Sequence, residues 1–180
     1  MRWVMIIAGA AAGSALLANV LWWATDDLDR VHSLIRSDHA SVRHMSPQAF
    51  VATDRDETLV FDVRDAEEYA VSHIEGAIRI DPDMASDAFA ARFGEDLKGR
   101  DAIFYCSVGK RSSMAAERYK DVLAASGATG YNLERGIFGW VNEGRPLTSS
   151  AGATSIVHPY DAVWGRLVED ETNRSYTPVP

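Results

Sequence analysis

Along the chain the apolar positions change their period twice, and each change marks a boundary. From Trp3 to Ala24 no charged residue occurs, and a run of that length can cross a bilayer core of roughly 30 Å. Trp22 and Trp23 stand at its end, where interfacial aromatics belong, and Asp26, Asp27 and Asp29 close it. A cleaved signal peptide would need a shorter apolar stretch and a small-x-small site. Here Trp22 lies two positions before Ala24, and Leu16 two before Ala18. Residues 1–25 are therefore expected to form an uncleaved, single-pass transmembrane helix that anchors the chain. Little marks its orientation. Arg2 precedes it while Arg30, Arg36 and Arg43 follow, a count that favours a cytoplasmic body, yet large domains are translocated largely regardless of charge. The reading leans to an extracytoplasmic, periplasmic body and leaves the cytoplasmic side open.

From Asp26 to about His39, Leu28, Val31, Leu34 and Ile35 recur at helical spacing. Residues 26–41 are read as an amphipathic stalk, with His32 and His39 as solvated residues, since no cysteine or carboxylate partners them at a recognised ligand spacing. From Val42 to Leu147 the pattern becomes short apolar runs alternating with helical ones. Thr58–Val63 and Ala102–Tyr105 read as strands buried on both faces, with shorter strands at Gly76–Ile80 and Thr129–Leu133. Ser46 and Pro47 read as an N-cap and first helical position, and Asp65 with Glu68 as a capping box. Further helices are expected over Asp83–Phe93, Ser112–Ala125 and Ile137–Asn142. About one hundred residues support one core. The alternation predicts an α/β domain, a parallel sheet with helices on both faces, whose reactive groups gather at the carboxyl ends of the strands. Past Pro146, Thr148–Ser155 reads as a polar linker in a C-terminal tail spanning 148–180. Asp161 is expected to cap a short amphipathic segment with Tyr160, Trp164, Leu167 and Val168 on one side. That side would pack back on the body or stalk, or else on a partner or the membrane surface. Glu169–Pro180 reads as frayed.

Composition narrows the chemistry. The net charge is −8, with the signs interspersed, so no basic stripe suits nucleic acid. A single cysteine excludes an intrachain disulfide framework in any compartment. No glycine-rich nucleotide motif, metal-ligand set or internal repeat is visible.

The chemistry-bearing stretch is Phe104 to Ser113, which holds that cysteine. Cys106 falls on a tight turn between a buried strand and a helix. The free N–H groups of the turn and of the first helical turn converge there. Lys110 and Arg111 add positive charge, and Gly109 permits dihedrals that a side chain forbids. The thiolate is the form those donors stabilise.

Four blocks, in order, carry a resemblance. They are Asp62-Val63-Arg64 with Glu68-Tyr69; Ser72 to Ile78, reading Ser-His-Ile-Glu-Gly-Ala-Ile; Cys106 to Ser112; and Leu133-Glu134-Arg135-Gly136 with Trp140, Gly144 and Pro146. Over residues 42–147 the chain resembles a single-domain rhodanese, a sulfurtransferase. The resemblance implies that Cys106 is the nucleophile and carries a sulfane sulfur as a persulfide, with no cofactor. It implies that the amides of Ser107, Val108, Gly109, Lys110, Arg111 and Ser112 cradle that sulfur or the donor. Lys110 and Arg111 would bind a small anionic donor such as thiosulfate, and a thiol or cyanide-like acceptor would discharge the sulfur. Asp62, Glu68, His73 and Gly76 fit scaffold positions. Arg64 would either hold the loop through a carboxylate or face the donor. Arg135 stands where the family usually has glycine, so a positive dihedral there would be strained. Its side chain is expected in solvent, with donor binding as the alternative.

Two rival readings remain. Cysteine phosphatases and arsenate reductases place the loop arginine six residues after the cysteine; here Arg111 is five after, which suits a sulfur atom better than a tetrahedral oxyanion. A non-catalytic binding module or a thiol redox sensor would keep the same fold without turnover.

Overall fold

A computed structural model describes residues 26–178. The expected anchor over 1–25 lies outside them; among the described residues no helix is long and apolar enough to cross a membrane. The chain runs α1 (Asp26–Asp38), β1 (Arg43–Met45), α2 (Pro47–Val51), β2 (Thr58–Asp62), α3 (Ala66–Val71), β3 (Ile78–Arg79) and α4 (Ser86–Phe93). It continues with β4 (Asp101–Tyr105), α5 (Lys110–Arg118), α6 (Lys120–Ala125), β5 (Gly130–Leu133), α7 (Gly136–Asn142), β6 (Leu147–Ser149) and β7 (Gly152–Thr154). Five strands form one sheet in the order β1-β5-β4-β2-β3, and every pairing is parallel.

Strand alternation sorts the core into two layers. Val60, Ile103, Tyr105 and Leu133 face α1, α2 and α7 through Leu28, Ile35, Phe50, Ile137 and Phe138. Leu59, Phe61, Ala102 and Phe104 face α4, α5 and α6 through Phe89, Phe93, Ala115, Tyr119 and Leu123. In the second layer the Phe89 and Tyr119 rings stack 3.9 Å apart. The α/β domain with a parallel sheet and helices on both faces is thus observed. Ser46 Oγ accepts the Ala49 N–H at 3.1 Å, and Asp65 with Glu68 forms the expected capping box. The long helix expected over Ser112–Ala125 is two, divided at Tyr119 (φ −95°, ψ 4°).

Three expectations are corrected. The stalk is part of the body: Leu28 and Ile35, two turns apart on α1, are buried in the first layer. The amphipathic stripe had a partner, the face made by β5 and α7. Nor are its histidines solvated. His32 is buried, and His39 Nδ1 lies 2.9 Å from Glu117 Oε2. The linker Thr148–Ser155 is largely the antiparallel β6–β7 hairpin, which also bridges His73 at Thr148. Finally, the end expected to fray from Glu169 is tied down as far as Ser175, whose N–H donates to the Val157 carbonyl, while the segment of Trp164, Leu167 and Val168 packs back on the body as expected. Val157 is buried and bridges Arg174, Arg174 donates to the Val168 carbonyl, and Asn142 Nδ2 donates to the Leu167 carbonyl at 2.8 Å.

Candidate active site

Cys106 follows β4, the central strand, directly. Val63, just past β2, donates its N–H to the Tyr105 carbonyl at 2.9 Å, and Ile137 and Phe138 of α7 donate theirs to the carbonyls of Cys106 and Ser107 at 2.9 and 3.1 Å. The ends of β2, β4 and β5 therefore meet on one edge, as the alternation predicts. The approach of α7 depends on Gly136, at φ 58°, where a Cβ would lie 2.4 Å from the Cys106 carbonyl oxygen. Gly109, at φ 107°, turns the chain into α5, and its N–H donates to Cys106 Sγ at 3.2 Å. Ser112 Oγ lies 3.5 Å from Sγ on the inner side.

Cys106 is 1% exposed and lines a cavity of about 220 Å³. Ser107, Val108, Lys110 and Arg111 line it from the loop; Tyr160 and Trp164 line it from the tail. Arg111 does not reach over the thiol as a free cation. It grips buried Glu68 with both terminal nitrogens, Nη1 to Oε2 at 2.7 Å and Nη2 to Oε1 at 2.9 Å. It also donates to Asp65 Oδ2 at 3.0 Å and Ser107 Oγ at 3.0 Å. Ser107 in turn donates to Glu68 Oε1 at 2.9 Å. Burial opposes ionisation of Glu68, but the hydrogen bonds and charge of Arg111, with the Arg64 charge, hold its carboxyl below the usual range. Lys110 is exposed and makes no ion pair among the described residues.

Arg64 does not face the donor. It is fully buried and clasps Asp62, with Nη2 to Oδ2 at 2.6 Å and Nε to Oδ1 at 2.9 Å, and donates to the Ser72 carbonyl at 2.7 Å. Its expected donor-binding role fails because buried carboxylate and carbonyl acceptors occupy these donors. Arg135 has the anticipated positive φ, 62°, a conformation that costs a non-glycine residue about 1–2 kcal/mol. Its side chain is half-buried and off the cavity: rather than standing free in solvent, it pairs with Glu143 and lies 3.8 Å from Asp29.

A family model for the rhodanese-like domain matches residues 47–143, more than half of the chain. The chain belongs to the rhodanese-like domain family. No curated protein matches it. Among solved structures it is similar to a thiosulfate sulfurtransferase from Pseudomonas aeruginosa, with 20% identity and a TM-score of 0.54, over 68% of this chain and 23% of that one. It is also similar to the BH2092 protein from Bacillus halodurans, with 22% identity and a TM-score of 0.49, over 67% of this chain and 86% of that one. At such identities the first likeness speaks for the fold alone.

This rhodanese-like domain has site residues that the sequence reading missed. Tyr160 and Trp164 lie beyond the matched span, and the spacing that placed them on one side did not say which surface they meet. Asn132 of β5 lies beneath the loop: Ser112 donates to its Oδ1 at 2.6 Å, and its Nδ2 is 3.2 Å from His44 Nδ1. A neutral His44 completes that chain by accepting at Nδ1. Burial first, then the charges of His32 and Arg36, lowers the His44 pKa to about 4. The available signal was an asparagine in an otherwise apolar strand, since a buried amide requires partners.

Proposed function

We propose that the protein is a sulfurtransferase that moves a sulfane sulfur from an anionic donor to a thiol or cyanide-like acceptor through a persulfide on Cys106. The observation that carries this reading is the union of nucleophile and cradle. Sγ accepts the Gly109 N–H at 3.2 Å at the strand-to-helix turn, and Cys106 lines a cavity of about 220 Å³. In the first half-reaction the thiolate attacks the donor's outer sulfur. The bond between the two donor sulfurs breaks, and sulfite leaves with the electron pair when thiosulfate is the donor. In the second, the acceptor takes the outer sulfur and the thiolate returns. Neither half needs a bound cofactor or a proton transfer to a poor leaving group.

Phosphatase chemistry is disfavoured by the same geometry, because the loop arginine is committed to Glu68 and Asp65. Thiocyanate formation from thiosulfate and cyanide tests the reading. Turnover by the wild type, with loss in Cys106→Ser at unchanged circular dichroism, is expected; undiminished turnover by Cys106→Ser would sink it.

Residues 1–25 are further proposed to anchor this domain, with the body extracytoplasmic. Support comes from the uncharged run and its terminal tryptophans. Because α1 packs on the body through Leu28 and Ile35, the domain would lie close to the bilayer. Membrane fractions washed with alkaline carbonate should retain the full chain, and protease added to spheroplasts should digest it; release by carbonate contradicts the anchor.

A further inference from the structure

We propose that Tyr160 and Trp164 select the donor, and that the donor is an organic sulfane-sulfur anion carrying an apolar group, such as an aryl thiosulfonate, in preference to thiosulfate. This rests on the sulfurtransferase reading and names its substrate class.

Charge and apolar surface at the cavity both point there. Arg111 faces two carboxylates, Glu68 and Asp65, so the trio offers no net positive charge to a dianion. Lys110 remains as one exposed ammonium on the rim. The trio sums to −1 and Lys110 adds +1, so the charged side chains at the cavity cancel, and they resist a monoanionic head less than a small dianion, which would also lose its hydration against Val108 and the two aromatic rings. An apolar substituent on the same donor would instead gain from leaving water there.

The aromatic wall is a built feature. Asp161 Oδ1 accepts the N–H groups of Val163 and Trp164, each at 2.8 Å, and so starts the 3₁₀ turn Trp164–Leu167. Gly165 lets that turn press on Pro159, where a Cβ would come within 2.7 Å of the Pro159 Cβ. Tyr160 is held at φ 65°, and its N–H donates to His158 Nδ1 at 3.0 Å. Its ring lies 5.0 Å from the Arg111 guanidinium carbon, a separation at which cation and ring attract. Glu68 thus fixes Arg111, and Arg111 gives the ring its platform. A tyrosine that is 45% exposed is thereby kept beside the thiol.

The chemistry balances with the donor alone. The Cys106 thiolate attacks the terminal sulfur of an aryl thiosulfonate, and a bond forms between Sγ and that sulfur. The bond from sulfane to sulfonyl sulfur breaks, and the aryl sulfinate departs with the electron pair.

Turnover to thiocyanate by the full chain would be compared for benzenethiosulfonate, methanethiosulfonate and thiosulfate. The methyl compound carries the same head and charge without the ring. The expected result is a lower KM for the benzene than for the methane compound, with thiosulfate the poorest donor. In Trp164→Ala and Tyr160→Ala the kcat/KM preference for the ring should fall by about tenfold. Trp164→Leu keeps an apolar plug for folding and should also lose part of the preference. Thiosulfate as the best donor, or a ring preference unchanged in a folded Trp164 variant, overturns the proposal. Failure of all three donors to give thiocyanate would instead overturn the sulfurtransferase reading beneath it.

Discussion

Two arginine–carboxylate pairs flank the thiol, and their difference separates support from site. Asp62 and Arg64 lie wholly inside, between the end of β2 and the Ser72 carbonyl, with no surface on the cavity. Glu68 and Arg111 are joined as tightly, but the Arg111 side chain is 24% exposed and lines the cavity. The first pair fastens the chain after β2. The second sets the charge and the shape of the donor's entrance, because Arg111 also touches Ser107 and Tyr160. A guanidinium near a reactive thiol is therefore an anion site only to the extent that carboxylates have left its donors free.

The comparison can be broken first at the inner pair. Arg64→Ala leaves Asp62 buried and uncompensated and should lower unfolding stability by about 3–5 kcal/mol, read by urea titration. A loss within experimental scatter would deny the pair its structural role. Arg111→Ala should cost less, about 2 kcal/mol for the charged hydrogen bonds of Glu68, while raising the KM for donor. An unchanged donor dependence would place Arg111 outside the site. Glu68→Gln sharpens the contrast in the other direction. It removes one of the two carboxylates that face Arg111, leaving Asp65, and the KM for thiosulfate should fall a few-fold, on the order of 1 kcal/mol; a rise would show that positioning by Glu68 outweighs its charge.

The smallest effects concern pH. The Glu68 carboxyl is held below its ordinary range by Arg111 against the effect of burial. Its contribution is therefore present above the unfolded carboxyl pKa and is lost as pH falls through the lower folded value. His44 works in a separate window. Its pKa drops from 6.5 to about 4 on folding, so the unfolded chain binds the proton first, and stability declines as pH falls from 6.5 towards 4. The urea midpoint should fall across that window, and His44→Gln should flatten part of the slope, while His32 and His158, both lowered first by burial, keep contributing to it. An identical slope in the variant would remove His44 from the account.

The body of the fold was legible because its elements are locally marked. The strand Thr58–Asp62, the capping box of Asp65 and Glu68, and the turn into Lys110 each announce themselves over a few residues. Positions decided by distant partners were not legible. Nothing near Arg64 tells whether it meets a donor or turns back on Asp62, two residues away. The β1 strand, Arg43–Met45, is too short to read alone and exists by pairing with β5. The stripe of α1 and that of the tail were both visible, but an amphipathic face does not name the surface that covers it. The tail's role at the cavity thus became visible only once Tyr160 and Trp164 were seen beside Cys106.

The central claim is that Cys106 carries sulfur, and the intact mass of the full chain tests it most directly. Because the chain has a single cysteine, an adduct has one assignment. After incubation with thiosulfate or benzenethiosulfonate and removal of donor, the mass should rise by one sulfur atom. Cyanide should return it to the starting value, and Cys106→Ser should never gain it. A wild-type mass unchanged by either donor, or an adduct that persists in Cys106→Ser, would contradict the claim.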